Sequence, residues 1–318
     1  MPDHARRPAA GPSSILDQTQ GLIAFVRAVE ARSFSGAART LSTSPSAVSK
    51  SVARLEARFG VRLFRRSTRS LTLTREGAAY FERIAPLLRS LDAASDVLNP
   101  TATAQGSLRV TAPGDLGRVL MDAITRHFLP LHRGLKLEIS LTDRHVNLIR
   151  DGFDVAVRAG DAVDSDLNAR VLGNLPMVLA ASPAYLAERG TPESAEALQD
   201  HDHVRYVRDG KPFPVRFADG SLFTPPPGVL DADSGAALRI AALNGMGIVQ
   251  MMRFALQEDI DAGRLLPVIP DVALPLVPVY ALHPFGLHAP LRVRLFIDFL
   301  ASQLSGFSIP ASQAPPRS

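Results

Sequence analysis

The sequence predicts an α/β fold preceded by a small helical domain, and three observations carry that prediction. Apolar residues recur at helical spacing from Ile15 to Asn99, and from Leu108 short apolar strands alternate with amphipathic helices. Charge divides the same way. The first hundred residues hold fifteen Lys/Arg against eight Asp/Glu, net +7, while the remainder holds twenty against twenty-three, net −3. A basic helical third joined to a mildly acidic α/β remainder is the asymmetry of a chain in which one part meets a polyanion.

With 318 residues, 46% of them hydrophobic, the chain can bury more than one core, which excludes a disordered protein. It has no cysteine, so disulfides, iron–sulfur clusters, thiolate zinc sites and cysteine nucleophiles are excluded. No apolar run approaches the ~20 residues that cross a bilayer. Residues 1–14 are rich in Pro, Ala and Gly and show no apolar core of a signal peptide, so a disordered tail and a cytoplasmic location are expected.

The helical part, residues 15–74, reads as three helices and a hairpin. The first, about Gln18–Ala31, places Leu22, Phe25, Val26 and Val29 on one stripe, and Ser35 fits an N-cap for a short second helix over Gly36–Leu41. After a turn at Ser42–Ser44, Ser44 caps a third helix that has Pro45 at its first position, runs to Phe59 and stops at Gly60. Val48, Val52, Leu55 and Phe59 form its inward stripe. Ser46, Ser49, Lys50, Ala53 and Arg54 recur on the opposite face, which is small, hydroxylic and cationic. Such a face can sink into the major groove of double-stranded DNA, with hydroxyls and cations meeting phosphates and base edges.

Leu63–Phe64 and Leu71–Leu73 read as two short strands around a turn carrying Arg65, Arg66 and Arg69, a basic wing suited to a phosphate backbone or a minor groove. Residues 75–106 then form a linker helix and hinge. Thr74 caps a helix over about Arg75–Leu98 with Phe81, Ile84, Leu88, Leu91 and Val97 on its stripe. A helix this long needs a partner for that stripe, and pairing with a second copy supplies it. Pro86 inside it is expected to kink or break it, and Asn99–Gly106 has no apolar period.

From Leu108, strands are expected at Leu108–Thr111, Leu137–Leu141, Val155–Arg158, Met177–Ala181, Val204–Val207, Ile248–Met251 and Val277–Leu282. Helices are expected at Leu116–Leu131, Val146–Arg150, Ala184–Arg189, Gly235–Leu243, Phe254–Gly263 and Leu291–Leu304. The pattern indicates mixed or parallel sheets, and its length suits two subdomains. A Pro-rich tail, 305–318, closes the chain.

The segment Phe25–Gly77, with AVEARSFSGAARTLSTSPSAVSKSVARLEARFGVRLFRRSTRSLTLTREG at its core, closely resembles the DNA-binding domain of LysR-type transcriptional regulators. FDVAVRAG, ASPAYLAERG and ALNGMGIVQMM resemble that family's effector-binding domain, and the likeness runs from about residue 18 to 304. It implies a winged helix-turn-helix, a dimerising linker helix and a two-lobed, periplasmic-binding-protein-like effector domain over 107–304. Lobe one would combine 107–175 with 280–304, and lobe two would be 176–279. By family position Ser44, Pro45, Ser46, Ser49, Lys50 and Arg54 lie at the major groove, and Arg65, Arg66 and Arg69 on the wing. Many relatives have glutamine at the position of Ser44, and a hydroxyl residue near Gly114. The resemblance further implies a homodimer or homotetramer on an operator, RNA polymerase as a candidate partner, and no cofactor.

The effector cleft would lie between the lobes at strand ends. Its candidates are Pro113, Gly114, Thr142, Asp143 and Arg158 from lobe one, and Arg205, Tyr206, Ser234, Gly247 and Val249 from lobe two. The helix starts after residues 114 and 234 offer backbone N–H groups to an anion, so a small carboxylate is the expected effector. Blander roles stand beside these. Arg158 can pair with Asp154 or Asp161, Ser234 can be an N-cap, Gly245 and Gly247 can form a turn, and Met251 and Met252 can be core. His201 and His203 share the spacing of a strand face without a third metal ligand nearby. No catalytic motif is present, which argues against an enzyme. The competing readings are a sequence-tolerant architectural DNA-binding protein and a solute-binding α/β protein with an accessory helical domain.

Overall fold

A computed structural model describes residues 15–65, 71–94, 103–144, 146–160, 167–208, 210–286 and 289–306. The chain divides into two units, the first drawn from Met1–Leu98 with Asn147–Gly152 and the second from Asn99–Val146 with Phe153–Ser318.

In the first unit, α1 (Ile15–Glu30), α2 (Phe34–Thr40) and α3 (Pro45–Phe59) are followed by the paired strands β1 (Phe64–Arg65) and β2 (Thr72–Leu73) and by α4 (Arg75–Ala94). The short helix α6 (Leu148–Asp151) also belongs to this unit. Phe25 sits at the centre of the core, its ring 5.4 Å from that of Phe64 and 6.3 Å from that of Phe81, with Val48, Val52, Leu55 and Leu63 buried around it. Burying each such side chain stabilises the domain by roughly 1.5–3 kcal/mol. Two expectations are corrected. Ser33 rather than Ser35 caps α2, its Oγ accepting from Gly36 N at 2.9 Å. Phe59 is 44% exposed, stacking edge-on against Tyr80 instead of completing the inward stripe. Pro86 lies inside α4 without breaking it.

The second unit contains two mixed sheets. The first, in the order β4 (Leu135–Leu141), β3 (Gly106–Ala112), β5 (Val155–Ala159), β15 (Val277–His283), β6 (Asn168–Leu175), is parallel except for β15, which runs antiparallel to both neighbours. Leu108, Val110 and Ala112 of β3 pack on Leu116 and Leu120 of α5 (Gly114–Ala123) and on Phe296 and Leu300 of α10 (Leu291–Ser305). Helix α5 continues through a π-turn and a 3-10 turn to Leu131.

The second sheet runs β12 (Leu230–Ala232), β8 (His203–Arg208), β13 (Ile248–Met252), β7 (Met177–Ala181), β14 (Leu266–Pro267), with β9 (Lys211–Pro212) on β8. Alternate residues of β7 feed opposite faces. Val178 and Ala180 pack with Leu238 of α8 (Gly235–Leu243) and Leu256 of α9 (Arg253–Asp261), while Leu179 and Ala181 pack with Tyr185 of α7 (Pro183–Arg189). A separate hairpin joins β10 (Val215–Arg216) to β11 (Leu222–Phe223). The chain passes between the two sheets after Leu175 and again ahead of Val277.

Candidate nucleic-acid interface and interlobe cleft

Helix α3 is set by its own ends. Ser44 Oγ accepts from Ala47 N at 3.2 Å, Pro45 takes the first turn, where a missing N–H costs nothing, and Gly60 closes the helix at φ 68°. Val48, Val52 and Leu55 point into the core, and Ser46, Ser49, Lys50, Ala53 and Arg54 are all exposed on the other side. A polyanion can therefore reach every polar group of that face. Arg65 is exposed on β1, and Arg66 and Arg69 lie outside the described residues.

A residue absent from the sequence-based candidates fixes the wing to this helix. Glu56, buried on the inner side of α3, accepts from Leu63 N at 2.7 Å, from Phe64 N at 3.1 Å and from Arg62 Nη1 at 3.0 Å. Thr74 secures the far strand, donating to Arg62 O at 2.7 Å and accepting from Gly77 N at 2.9 Å. The sequence does carry a signal for Glu56: a carboxylate directly after Leu55, on the buried side of an amphipathic helix, needs donors.

In the second unit, the N-termini of α5 and α8 approach each other. A Cβ at Gly235 would collide with the carboxylate of Asp115 and come within 3.0 Å of Met251 Cε, so any larger residue here forces the Asp115 side chain to move. Pro113 stands at the N-cap of α5, and Gly114 N donates to Asp143 Oδ1 at 3.2 Å. Thr142 N donates to Ala112 O at 2.9 Å, holding the turn that presents Asp143. Both helix starts are thus lined by carboxylates of the chain itself.

The electrostatics follow from this crowding. Burial pushes the Asp143 carboxyl above its ordinary range, Asp233 adds repulsion, and the Gly114 bond and Arg158 pull the other way. Burial and then Asp143 raise Asp115. Tyr206 is raised by burial and by the same three carboxylates, partly offset by Arg208. Arg158, lowered by burial, donates from Nη1 to Val157 O at 2.8 Å, and its buried Nη2 has no hydrogen-bond partner among the described residues.

Gly114, Asp143, Arg158 and Tyr206 therefore share one electrostatic neighbourhood, joined by Asp115 and Asp233, which are not among the sequence-based candidates. The remaining candidates have other surroundings. Arg205 makes a bidentate ion pair with Asp231 at 2.7 and 2.6 Å and donates to Pro225 O at 3.1 Å, fastening β8 to β12. Ser234 occupies the N-cap position of α8 but makes no capping bond. Gly247 is buried against the backbone of Asp202 at φ 136°, and Val249 is fully buried in the sheet core. The imidazoles are engaged as well, His201 Nδ1 with Tyr185 Oη at 3.1 Å and His203 Nε2 with Leu198 O at 2.8 Å. Asp154, a candidate partner of Arg158, accepts from Arg109 N at 2.9 Å, and Asp161 lies outside the described residues.

The family model of the bacterial regulatory helix-turn-helix protein, lysR family, matches residues 19–78, and that of the LysR substrate binding domain matches 101–305. The chain belongs to the LysR family of transcriptional regulators. This LysR-type regulator is 36% identical over 290 residues to the HTH-type transcriptional regulator CrgA of Neisseria meningitidis, covering 90% of this chain and 97% of that one. It is 33% identical over 297 residues to the HTH-type regulator YhjC of Escherichia coli, covering 92% and 99%. The solved structure of CrgA superposes with a TM-score of 0.58 over 90% of this chain and 98% of that chain. Full-length AphB of Vibrio cholerae gives 0.54 at 27% identity over 89% and 98%. Full-length OxyR from Pseudomonas aeruginosa, at 17% identity and a TM-score of 0.70, shares the fold. The regulator thus has a DNA-binding and an effector-binding domain and is not an enzyme. Among the described residues, no helix is long and apolar enough to cross a membrane.

Proposed function

We propose that this LysR-type regulator reads promoter DNA in the cytoplasm through Ser44, Pro45, Ser46, Ser49, Lys50 and Arg54 in the major groove, with Arg65, Arg66 and Arg69 along the phosphates. The observation that carries this is the exposure of the whole polar face of α3 opposite the buried Val48, Val52 and Leu55. Two copies pair through α4, whose Leu87 and Leu91 are 60% and 68% exposed in the single chain, and dimers associate into a homotetramer. RNA polymerase is the partner through which bound regulator acts.

The effector is a small carboxylate held between the lobes by the N-terminus of α5 and by Arg158. The carboxylate already seated on Gly114 N supports that class, because it has the chemistry this helix start accepts. Effector binding shifts the population of lobe arrangements and so the spacing the assembly imposes on its operator.

The test is retention of the intergenic DNA beside its gene, across salt and with a panel of small carboxylates. Lys50→Ala and Arg54→Ala weaken specific retention, and Arg69→Ala lowers the salt slope by about one. Retention of all DNA alike, unchanged by every compound, would instead favour the architectural reading.

A further inference from the structure

The interlobe cleft presents a contradiction for an anionic ligand. Among the described residues, the positive features that act on Asp143 are the N-terminus of α5 and the guanidinium of Arg158. Yet Asp143 already occupies the first, 3.2 Å from Gly114 N, and stands within the field of the second. Asp115 and Asp233 add like charge beside it. Among the described residues, Arg158 Nη2 nevertheless has no hydrogen-bond partner and is buried. A buried charged donor left open is costly, and it marks a place where an acceptor belongs.

Building on the carboxylate reading above, we propose that Asp143 is an internal stand-in for the effector's carboxylate. It holds the start of α5 while the cleft is empty, and an incoming carboxylate binds there only as Asp143 takes up a proton. Two carboxylates sharing one helix start cannot both stay ionised without strong repulsion, which a single proton removes. The proton comes from solvent and rests on Asp143, and the entering anion gains the Gly114 N–H and the open Nη2 of Arg158. The groups facing Asp143 are Gly114 N and Asp115 from α5, Arg158 from β5, Tyr206 from β8 and Asp233 ahead of α8. None of them is a base that relieves the repulsion without a proton. Asp143 thus sets the pH at which the regulator senses its signal.

The experiment is calorimetric titration of the full-length protein with sodium acetate, benzoate and formate against a chloride control, from pH 6 to 8, where these probes stay ionised. Wild-type affinity falls with rising pH, approaching about tenfold per pH unit, with up to one proton taken up per anion. Asp143→Asn keeps the shape and removes the charge, so it binds at least about tenfold more tightly at pH 8 and loses the pH dependence. Binding by the wild type with no pH dependence and no proton uptake overturns this inference and leaves the carboxylate reading standing. Binding by Asp143→Asn that is no tighter than wild type overturns it equally. Failure of both proteins to bind any of the probes overturns the carboxylate reading, and this inference with it. The wild-type pH series decides by itself if the variant does not fold.

Discussion

Replacing Glu56 by alanine should detach the wing from α3 while leaving the exposed polar face of α3 in place. The carboxylate accepts two backbone N–H groups, from Leu63 at 2.7 Å and Phe64 at 3.1 Å, and a third bond from Arg62. Truncation strands two buried donors, each costing about 1–3 kcal/mol, so a local destabilisation of roughly 3 kcal/mol is expected. Glutamine keeps an acceptor oxygen for the two amides and loses only the charge and the Arg62 bond, a cost of about 1 kcal/mol. Hydrogen–deuterium exchange of the full-length protein reads this directly. The Leu63 and Phe64 amides should exchange roughly a hundredfold faster in Glu56→Ala and several-fold faster in Glu56→Gln. Because Arg65 follows these amides, non-specific DNA affinity should fall in the same order. Equal exchange in all three proteins would refute the assignment of Glu56 as the wing's anchor.

Further outcomes concern the second unit. Asp259 is fully buried between Arg239, at 2.5 and 2.8 Å, and Arg264, at 2.9 and 2.7 Å. Asp259→Asn, which leaves two partly exposed guanidiniums without their anion, should cost about 1–3 kcal/mol in urea unfolding. Burial alone would raise this carboxyl, and the two arginines outweigh it and hold it below its ordinary value. Its stabilisation is therefore complete above the unfolded carboxylate range and lost as pH falls through the lowered folded value, so unfolding midpoints of wild type and Asp259→Asn should converge on acidification. Gly235→Ala brings a methyl group onto the Asp115 carboxylate and should destabilise the protein by about 1–3 kcal/mol. An unchanged melting temperature would show that the two helix starts separate freely.

Helix α3 is legible residue by residue, because its determinants are local: a serine cap, a proline in the first turn, a closing glycine and two faces of opposite character. The start of the short second helix differs by two residues from its expected place because Ser33 and Ser35 are equally good caps by residue type, and only the bond to Gly36 N separates them. Phe59 fails as a core residue for a similar reason: the stripe predicts a direction, while Tyr80, far along the chain, decides what the ring meets. Strand β6 escapes the alternation rule because its first half, Asn168 to Val171, is exposed at polar and apolar positions alike, with no buried position until Leu172. The cleft is the least legible region. That helix starts attract anions is a local rule, but which anion answers depends on residues as distant as Gly114 and Asp143, which only the fold brings together.

Arg89 of α4 donates twice to Glu30 of α1, at 3.1 and 2.8 Å, and Phe81 of α4 shares the core of Phe25. The linker helix is therefore welded to the body that carries α3 and cannot swivel independently of it. A helix of 20 residues extends about 30 Å, so tilting the reading head by 10° sweeps its far end through about 5 Å. Leverage runs in both directions along such a rod. Under the proposed pairing through α4, small displacements where the two helices meet would become angular corrections at the base pairs, and a poorly fitting operator would strain that seam in return.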